Sequence, residues 1–134
     1  MKTGDLDGDG SLEIVTTIDC IYENRGAISV WNNKGDLLAE LPELNSAAGC
    51  QLIPSGQENC QEIISCNDFS SVFRVGFESN RLEIRQEATN DRGVSLMGTI
   101  DLPGRPNERG ILTQDQDGLG RILDRKFKIV ASYQ

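Results

Sequence analysis

The stretch of sequence with the clearest chemistry is Asp5–Glu13, which reads DLDGDGSLE. Acidic side chains stand at positions 1, 3, 5 and 9 of these nine residues, with Gly8 and Gly10 among them. Because glycine adopts positive φ without steric cost, the backbone can curl and bring the carboxylates together. Clustered carboxylates repel one another unless a cation neutralises them. The spacing therefore predicts a site for a hard divalent cation.

Ca2+ is the expected cation, because it accepts about six to eight oxygen ligands in flexible geometry, whereas Mg2+ demands a tight octahedron. The expected ligands are Asp5, Asp7, Asp9, the Ser11 carbonyl and Glu13, with water completing the shell. An EF-hand is excluded, because its loop needs an acid where Thr16 stands and a helix after it. Ile14–Ile18 is instead a β-branched run that favours a strand. A solvated acidic turn without an ion is the alternative.

Charge and composition exclude several classes of protein. The chain has 134 residues with 13 basic and 21 acidic side chains, a net charge of −8. Residues 1–66 hold three basic and eleven acidic side chains, and residues 67–134 hold ten of each. An acidic surface of this kind attracts cations and argues against a nucleic-acid partner. No apolar run approaches the ~20 residues of a membrane span, so no membrane insertion is expected.

The complete absence of histidine bears on catalysis. It removes the commonest general base and the Ser-His and Cys-His nucleophile pairs. Among the 21 acidic side chains, nothing marks one pair of carboxylates for glycoside hydrolysis.

Strand signals dominate the chain, and no window keeps a helical period. The turn Asn33–Asp36 between two apolar runs predicts a β-hairpin. The expected strands are Glu13–Ile18, Ala27–Trp31, Leu37–Leu41, Gln51–Ile53, Glu62–Cys66, Val72–Phe77, Leu82–Gln86, Val94–Ile100, Gly110–Thr113 and Phe127–Ser132. Short strands at this spacing indicate an all-β sandwich, barrel or propeller.

The chain also carries a degenerate repeat, which favours the propeller. Glu13-Ile14-Val15 returns as Glu62-Ile63-Ile64, and a third copy is expected at Lys128–Ser132. Periods near 40–50 residues in an all-β chain are typical of blades of four antiparallel strands. We expect a first blade at 1–47, a degenerate second blade at 48–106 and a partial third blade at 107–134, all within one unit spanning 1–134.

Two motifs together resemble the FG-GAP repeats of integrin-type β-propellers. They are D-x-D-G-D-G-x-x-E-I-V at Asp5–Val15 and G-A-I-S-V-W-N-N-K-G-D-L-L at Gly26–Leu38. The resemblance implies a calcium loop between two strands of a blade. It also implies a non-enzymatic module for protein or cell-surface binding and adhesion, located outside the cell or at its surface. Asp115 and Asp117 form a reduced copy of the loop, expected to be a doubtful second metal site.

The alternative function is carbohydrate binding, either as a lectin-like propeller or as an accessory segment of a secreted carbohydrate-active enzyme. The candidate ligand-binding aromatics are Trp31 and Tyr22. For Trp31, packing in a core is the competing role. The partner, a protein or a glycan, is not identified by the sequence.

The cysteines and the open strand edges give two further expectations. Cys50–Cys60 and Cys20–Cys66 are the favoured disulfides, and four reduced thiols are the alternative. The chain is expected to be a fragment of a larger propeller. Closure of its last strand on its own first blade, or self-association of copies through open blade edges, are the other possibilities.

Overall fold

Short apolar and β-branched runs, separated by turns rich in Gly, Asn and Asp, form strands along the whole chain. A computed structural model describes residues 1–23, 25–44, 47–67 and 70–134, and the side chains of Ile21 and Glu43 lie outside this description. The strands are β1 (Lys2–Gly4), β2 (Glu13–Cys20), β3 (Arg25–Trp31), β4 (Leu37–Leu44), β5 (Cys50–Pro54), β6 (Gln61–Asn67), β7 (Ser71–Glu78), β8 (Arg81–Thr89), β9 (Ser95–Asp101), β10 (Arg109–Gln114), β11 (Gly120–Leu123) and β12 (Ile129–Tyr133). Within these described ranges, one 3-10 turn spans Ile21–Glu23.

The strands form three antiparallel sheets of four, each built from strands that follow one another in the chain. The first sheet is β1–β4, the second is β5–β8 and the third is β9–β12. The expected all-β fold with blade-like antiparallel sheets is therefore confirmed. The boundary between the second and third sheets lies between Thr89 and Ser95 and not at residue 106, because β9 pairs with β10 and completes the third sheet.

All ten expected strands overlap observed ones, and two observed strands were not expected. β1 carries no apolar pattern and is held by backbone pairing with β2, from Lys2 opposite Val15 to Gly4 opposite Glu13. β11 is four residues long and begins with glycine. The expected third repeat copy at Lys128–Ser132 lies mainly in β12, the fourth strand of its sheet. Glu13 and Glu62 stand instead in second strands, so this copy is not equivalent to the other two.

The second sheet is buried on both faces. Ile63 and Ile64 are neighbours in β6, and their side chains point to opposite sides of the sheet because strand residues alternate. Ile63 packs in a core shared with the first sheet, which includes Val15, Ile28 and Val30. Ile64 packs in a second core shared with the third sheet, which includes Val94, Ile111, Leu123 and Phe127. The second sheet is therefore the central layer of the three.

No disulfide joins the four cysteines, all of which lie in the described ranges. The expected Cys50–Cys60 bridge is wrong, because Cys50 begins β5 and Cys60 lies beyond the far end of that strand, opposite Ser55. Five residues of strand span roughly 16 Å, and disulfides need Cα atoms within about 7 Å. The expected Cys20–Cys66 bridge is also absent. Cys20 ends β2, and Cys66 is buried in the core of the second and third sheets.

No helix within those described ranges has the length and apolar character needed to cross a membrane.

Candidate metal centre

The acidic loop, residues 5–12, connects β1 to β2 in the first sheet. Gly4 pairs with Glu13 across its base, so the residues on either side of the loop are held by the sheet. Gly8 and Gly10 have φ values of +80° and +86°, the left-handed region that favours glycine. These two residues curl the loop back toward the start of β2, as the sequence predicts.

Three carboxylates of this region converge. Asp5, Asp7 and Glu13 each offer one oxygen atom, and the three atoms lie within 4.8 Å of one another. Glu13 is buried, Asp5 is half-buried and Asp7 is exposed. No ion pair from any described basic side chain reaches these three residues. The negative charge of the group is therefore not neutralised by the described part of the chain.

Backbone amides of the loop hold these carboxylates in place. Gly8 N donates to Asp5 Oδ1 at 2.6 Å, and Gly10 N donates to Asp5 Oδ2 at 2.9 Å. Leu6 N donates to Glu13 Oε2 at 2.8 Å. Leu6 itself is buried in the core between the first and second sheets, which anchors the loop to the fold.

Two of the expected ligands stand apart from the converging group. Asp9 and Ser11 are exposed, and Asp9 Oδ1 accepts a hydrogen bond from Ser11 N at 2.6 Å. The Asp9 carboxylate is not among the three that converge. The Ser11 carbonyl stays a predicted ligand that no contact tests.

The clustering of carboxylates affects the pKa of Glu13. Burial raises the pKa of its carboxyl above the usual value of 4.5, the hydrogen bond from Leu6 N opposes this rise, and the charges of Asp7, Asp9 and Asp5 add to it. A buried acid among acids is held in its ionised form only at a free-energy cost. A bound cation would remove that cost.

The corresponding loop of the second sheet, Ser55–Cys60, lies against the acidic loop. A Cβ atom added at Gly8 would stand 2.9 Å from Cys60 Sγ, and Gln61 N donates to the Asp5 carbonyl at 2.9 Å. Between the two loops lies an open groove of about 1000 Å3 whose walls include Asp5, Asp9 and Glu58. Partial burial raises the pKa of the Cys60 thiol, and the carboxylates of Asp5 and Asp7 raise it further.

The second sheet also contains a buried glutamate near the start of its second strand, and its neighbours are basic side chains instead of acidic ones. Glu62 is 1% exposed. Arg85 Nη1 donates to its Oε1 at 3.0 Å, and Arg125 donates through Nε to Oε2 at 3.1 Å and through Nη2 to Oε1 at 3.0 Å. Arg74 Nη1 lies 3.4 Å from Oε2. We call these four side chains the Glu62 cluster.

Sequence reasoning missed the Glu62 cluster. The signal for the glutamate was present in the match of Glu62 to Glu13. Its three arginines come from β7, from β8 and from the turn before β12, so no local spacing connects them to it.

Asp115 and Asp117, the doubtful second site, lie in the turn between β10 and β11. Asp115 Oδ1 accepts hydrogen bonds from the backbone N of Asp117 and of Leu119, both at 3.0 Å. Asn32 Oδ1 accepts from Lys34 N and Asp36 N in the same pattern in the β3–β4 hairpin. Asp117 forms an ion pair with Arg92. Asp115 is therefore used as the first residue of a hairpin turn, and no described group of three acids includes it.

The two candidate ligand-binding aromatics have different environments. Trp31 is half-buried in β3, and its Nε1 donates to Thr16 Oγ1 at 2.9 Å on the neighbouring strand. Tyr22, in the 3-10 turn, is fully exposed. The structure does not bring them into one cavity with the acidic loop.

No protein-family model matches the chain, and a search of curated proteins likewise found no match.

Proposed function

We propose that the chain is a calcium-binding β module of the FG-GAP type, with Ca2+ held at the acidic loop. The observation that carries the proposal is the convergence of oxygen atoms from Asp5, Asp7 and Glu13, without a described basic side chain to neutralise them. Carboxylate oxygens are the ligands that Ca2+ prefers. Asp9 and the Ser11 carbonyl are the further ligands that a small closure of this exposed loop would supply.

Calorimetric titration of the full chain with CaCl2 tests the site directly. We expect a dissociation constant of about 10⁻⁴–10⁻³ M, the range of extracellular modules. Because Ca2+ binds the folded loop and not the unfolded chain, it also raises the melting temperature. Asp7→Asn is expected to remove most of this increment. Asp101→Asn, a substitution at an exposed acid of the third sheet, is the matched control and leaves it intact.

The outcome that contradicts the site is equally clear. Absence of binding heat at millimolar CaCl2, together with an unchanged melting temperature, would show that the acidic loop is a solvated turn. Equal stabilisation of the Asp7→Asn variant by Ca2+ would place the ion elsewhere in the molecule.

The biological role we propose is binding of a protein or a cell-surface partner in the extracellular space, without catalysis. Support comes from the FG-GAP resemblance of the loop and from the blade-like sheets that carry it. Pull-down with the calcium-loaded chain, compared with the Asp7→Asn variant, tests the role. If both proteins capture the same partner, partner binding does not depend on Ca2+ at the acidic loop.

Carbohydrate binding is the second candidate, supported by the fully exposed ring of Tyr22. An exposed aromatic ring can stack on a sugar face, whereas the half-buried Trp31 is partly occupied by its bond to Thr16. A glycan panel read by calorimetric binding heat, repeated with Tyr22→Ala and Trp31→Ala, distinguishes the two roles. A response lost in either variant favours the glycan, and no response favours the protein partner.

A further inference from the structure

A second cavity, distant from the acidic loop in the sequence, lies between the second and third sheets. It measures about 240 Å3. Its walls are mostly apolar and include Val72 and Ala88 of the second sheet and Val94, Leu123 and Phe127 of the third. The polar wall residues are Thr89, Asn90, Thr113 and Arg121. We call this cavity the Arg121 pocket.

Strand register explains why an arginine points into this space. Thr113 pairs with Arg121, and Ile111 pairs with Leu123 two positions further along the same strands. Residues two apart share a face, so Arg121 lies on the same face as Leu123 and Ile111, which belong to the core with the second sheet. At this end of that core, Thr113, Asp115 and Arg121 take the places of apolar residues.

The guanidinium of Arg121 donates no hydrogen bond within the part of the chain that the structure describes. Its side chain is 24% exposed. The nearest acceptor is Asp115 Oδ2, which lies 3.7 Å from Nη2, too far for a hydrogen bond. Asp115 is fully buried at its side chain, and Oδ2 has no hydrogen-bond partner. Asp115 thus holds the guanidinium from one side by charge and leaves its donors to the pocket.

We propose that the Arg121 pocket binds a small organic anion: a carboxylate with a compact apolar body. The planar guanidinium presents paired N–H donors whose geometry matches a carboxylate in a bidentate contact. The apolar walls receive the body of the ligand, and Thr113 lies beside its polar end. An apolar lining with a few convergent polar groups is the composition of a ligand site, and the volume of about 240 Å3 restricts the ligand to a compact one.

The charge distribution along the chain is compatible with an anion here. Every wall residue comes from residues 67–134, which hold ten basic and ten acidic side chains. The excess negative charge of the chain belongs to residues 1–66, which contain the acidic loop. Because no residue of the acidic loop lines the pocket, binding is expected to be the same with Ca2+ and with a chelator.

Benzoate is a suitable probe, with benzamide as its neutral counterpart and acetate as the anion without an apolar body. Titration of the 15N-labelled full chain, followed by NMR, is expected to shift the Arg121 Nε–H signal and the amides of Thr113 and Leu123. Benzoate is expected to bind at least tenfold more tightly than either benzamide or acetate, because each of them lacks one of the two interactions.

Variants locate the contact. Arg121→Gln is expected to weaken benzoate binding at least tenfold, and Arg121→Lys to weaken it less, because charge is kept and the bidentate geometry is lost. Ala88→Leu is expected to fill the pocket and abolish binding. Arg81→Gln, at an exposed arginine of β8, is the matched control and binds as the native chain does. Melting curves of each variant establish that it is folded.

Three results would overturn the proposal. The first is benzamide binding as tightly as benzoate, which rejects the anionic class. The second is a folded Arg121→Gln or Arg121→Lys variant with unchanged benzoate affinity. The third is a set of shifts centred on the exposed basic residues Lys126 and Lys128 in place of Thr113 and Leu123.

Discussion

The first and second sheets each bury a glutamate at the start of their second strand, and they treat its charge in opposite ways. Glu13 converges with Asp5 and Asp7, the charge of Asp9 also acts on it, and its hydrogen-bond donor is a backbone amide. Glu62 receives guanidinium groups from two strands of its own sheet and from the turn before β12. Both residues are at most 4% exposed.

The difference shows two ways in which one fold can accommodate a buried carboxylate. A buried charge is strongly unfavourable unless it is paired and hydrogen-bonded. In the second sheet the pairing groups belong to the chain, so the charge is compensated without a bound ion, and one of them, Arg125, also links the second sheet to the third. In the first sheet no described basic side chain pairs with Glu13, and under the proposed function a bound cation supplies the compensating charge. The second glutamate is suited to holding sheets together.

Glu62→Gln is the substitution with the largest expected effect. It leaves three guanidinium groups around a neutral side chain, and we expect a loss of about 3 kcal/mol in the free energy of unfolding, as for breaking a buried ion pair. Urea denaturation measures this loss. The control is Glu78→Gln, because Glu78 is 80% exposed and lies 3.6 Å from Arg85; its expected cost is under about 0.5 kcal/mol. If Glu62→Gln and Glu78→Gln lose equal free energy of unfolding, the buried ion pairs of Glu62 do not stabilise the fold, and the contrast with Glu13 fails.

Arg125→Gln tests the link between the second and third sheets. It removes the two hydrogen bonds of Arg125 to Glu62 while Arg74 and Arg85 remain, so the expected loss is smaller, about 2 kcal/mol. Arg25→Gln is the control, because the Arg25–Glu23 pair is exposed and contributes under about 0.5 kcal/mol. If Arg125→Gln unfolds at the urea concentration of the native chain, Arg125 does not stabilise the sheet contact.

Asp115→Ala sharpens the comparison by separating an acid that accepts turn hydrogen bonds from the acids proposed to bind the metal. Loss of its carboxylate leaves two turn amides without their acceptor, at an expected cost of about 1 kcal/mol. The increase in melting temperature caused by Ca2+ should be the same as in the native chain. Asp7→Asn should show the reverse pattern, with little change in the absence of Ca2+ and loss of the increment. If Asp115→Ala reduces the increase in melting temperature caused by Ca2+, the turn at Asp115 also binds the metal.

Glu13→Gln should behave unlike Glu62→Gln in calcium-free buffer. It removes a buried charge among like charges and keeps an acceptor for Leu6 N, so the variant should be as stable as the native chain or more stable, by less than about 1 kcal/mol. Millimolar CaCl2 should then stabilise the native chain and not the variant. Denaturation with and without a chelator checks both statements, and a large loss in the chelated variant would contradict them.

The smallest expected effect is the pH dependence of the stability difference between the native chain and Glu13→Gln. Because the pKa of folded Glu13 is raised above its usual 4.5, the folded protein takes up a proton before the unfolded chain does. Without Ca2+, the stability of the native chain relative to Glu13→Gln should therefore rise as pH falls from above the raised pKa toward 4.5, and level off below it. With Ca2+ the trend should reverse, since protonation competes with the metal. If this stability difference does not change with pH in the presence of a chelator, the pKa of Glu13 is not raised.

The sequence was sufficient for the parts of the structure that depend on local pattern. The hairpin of β3 and β4 follows from apolar runs on either side of Asn33–Asp36, and the curl of the acidic loop follows from Gly8 and Gly10. It was insufficient where the determinant is remote. The Glu62 cluster joins residues up to 63 positions apart. Asp115 resembled a calcium ligand, because an acid that caps a hairpin turn and an acid that binds a metal have the same short sequence.

Ile63 and Ile64 have a consequence for how this chain can change over evolution. A residue inserted within β6 would exchange the two faces of everything that follows it in the strand, so both cores would be disrupted together. The turn Asn32–Asp36 and the connection at 102–108 have no such constraint. Length variation among descendants of this sequence should therefore collect in connections at the ends of the sheets, while β6 keeps a fixed length.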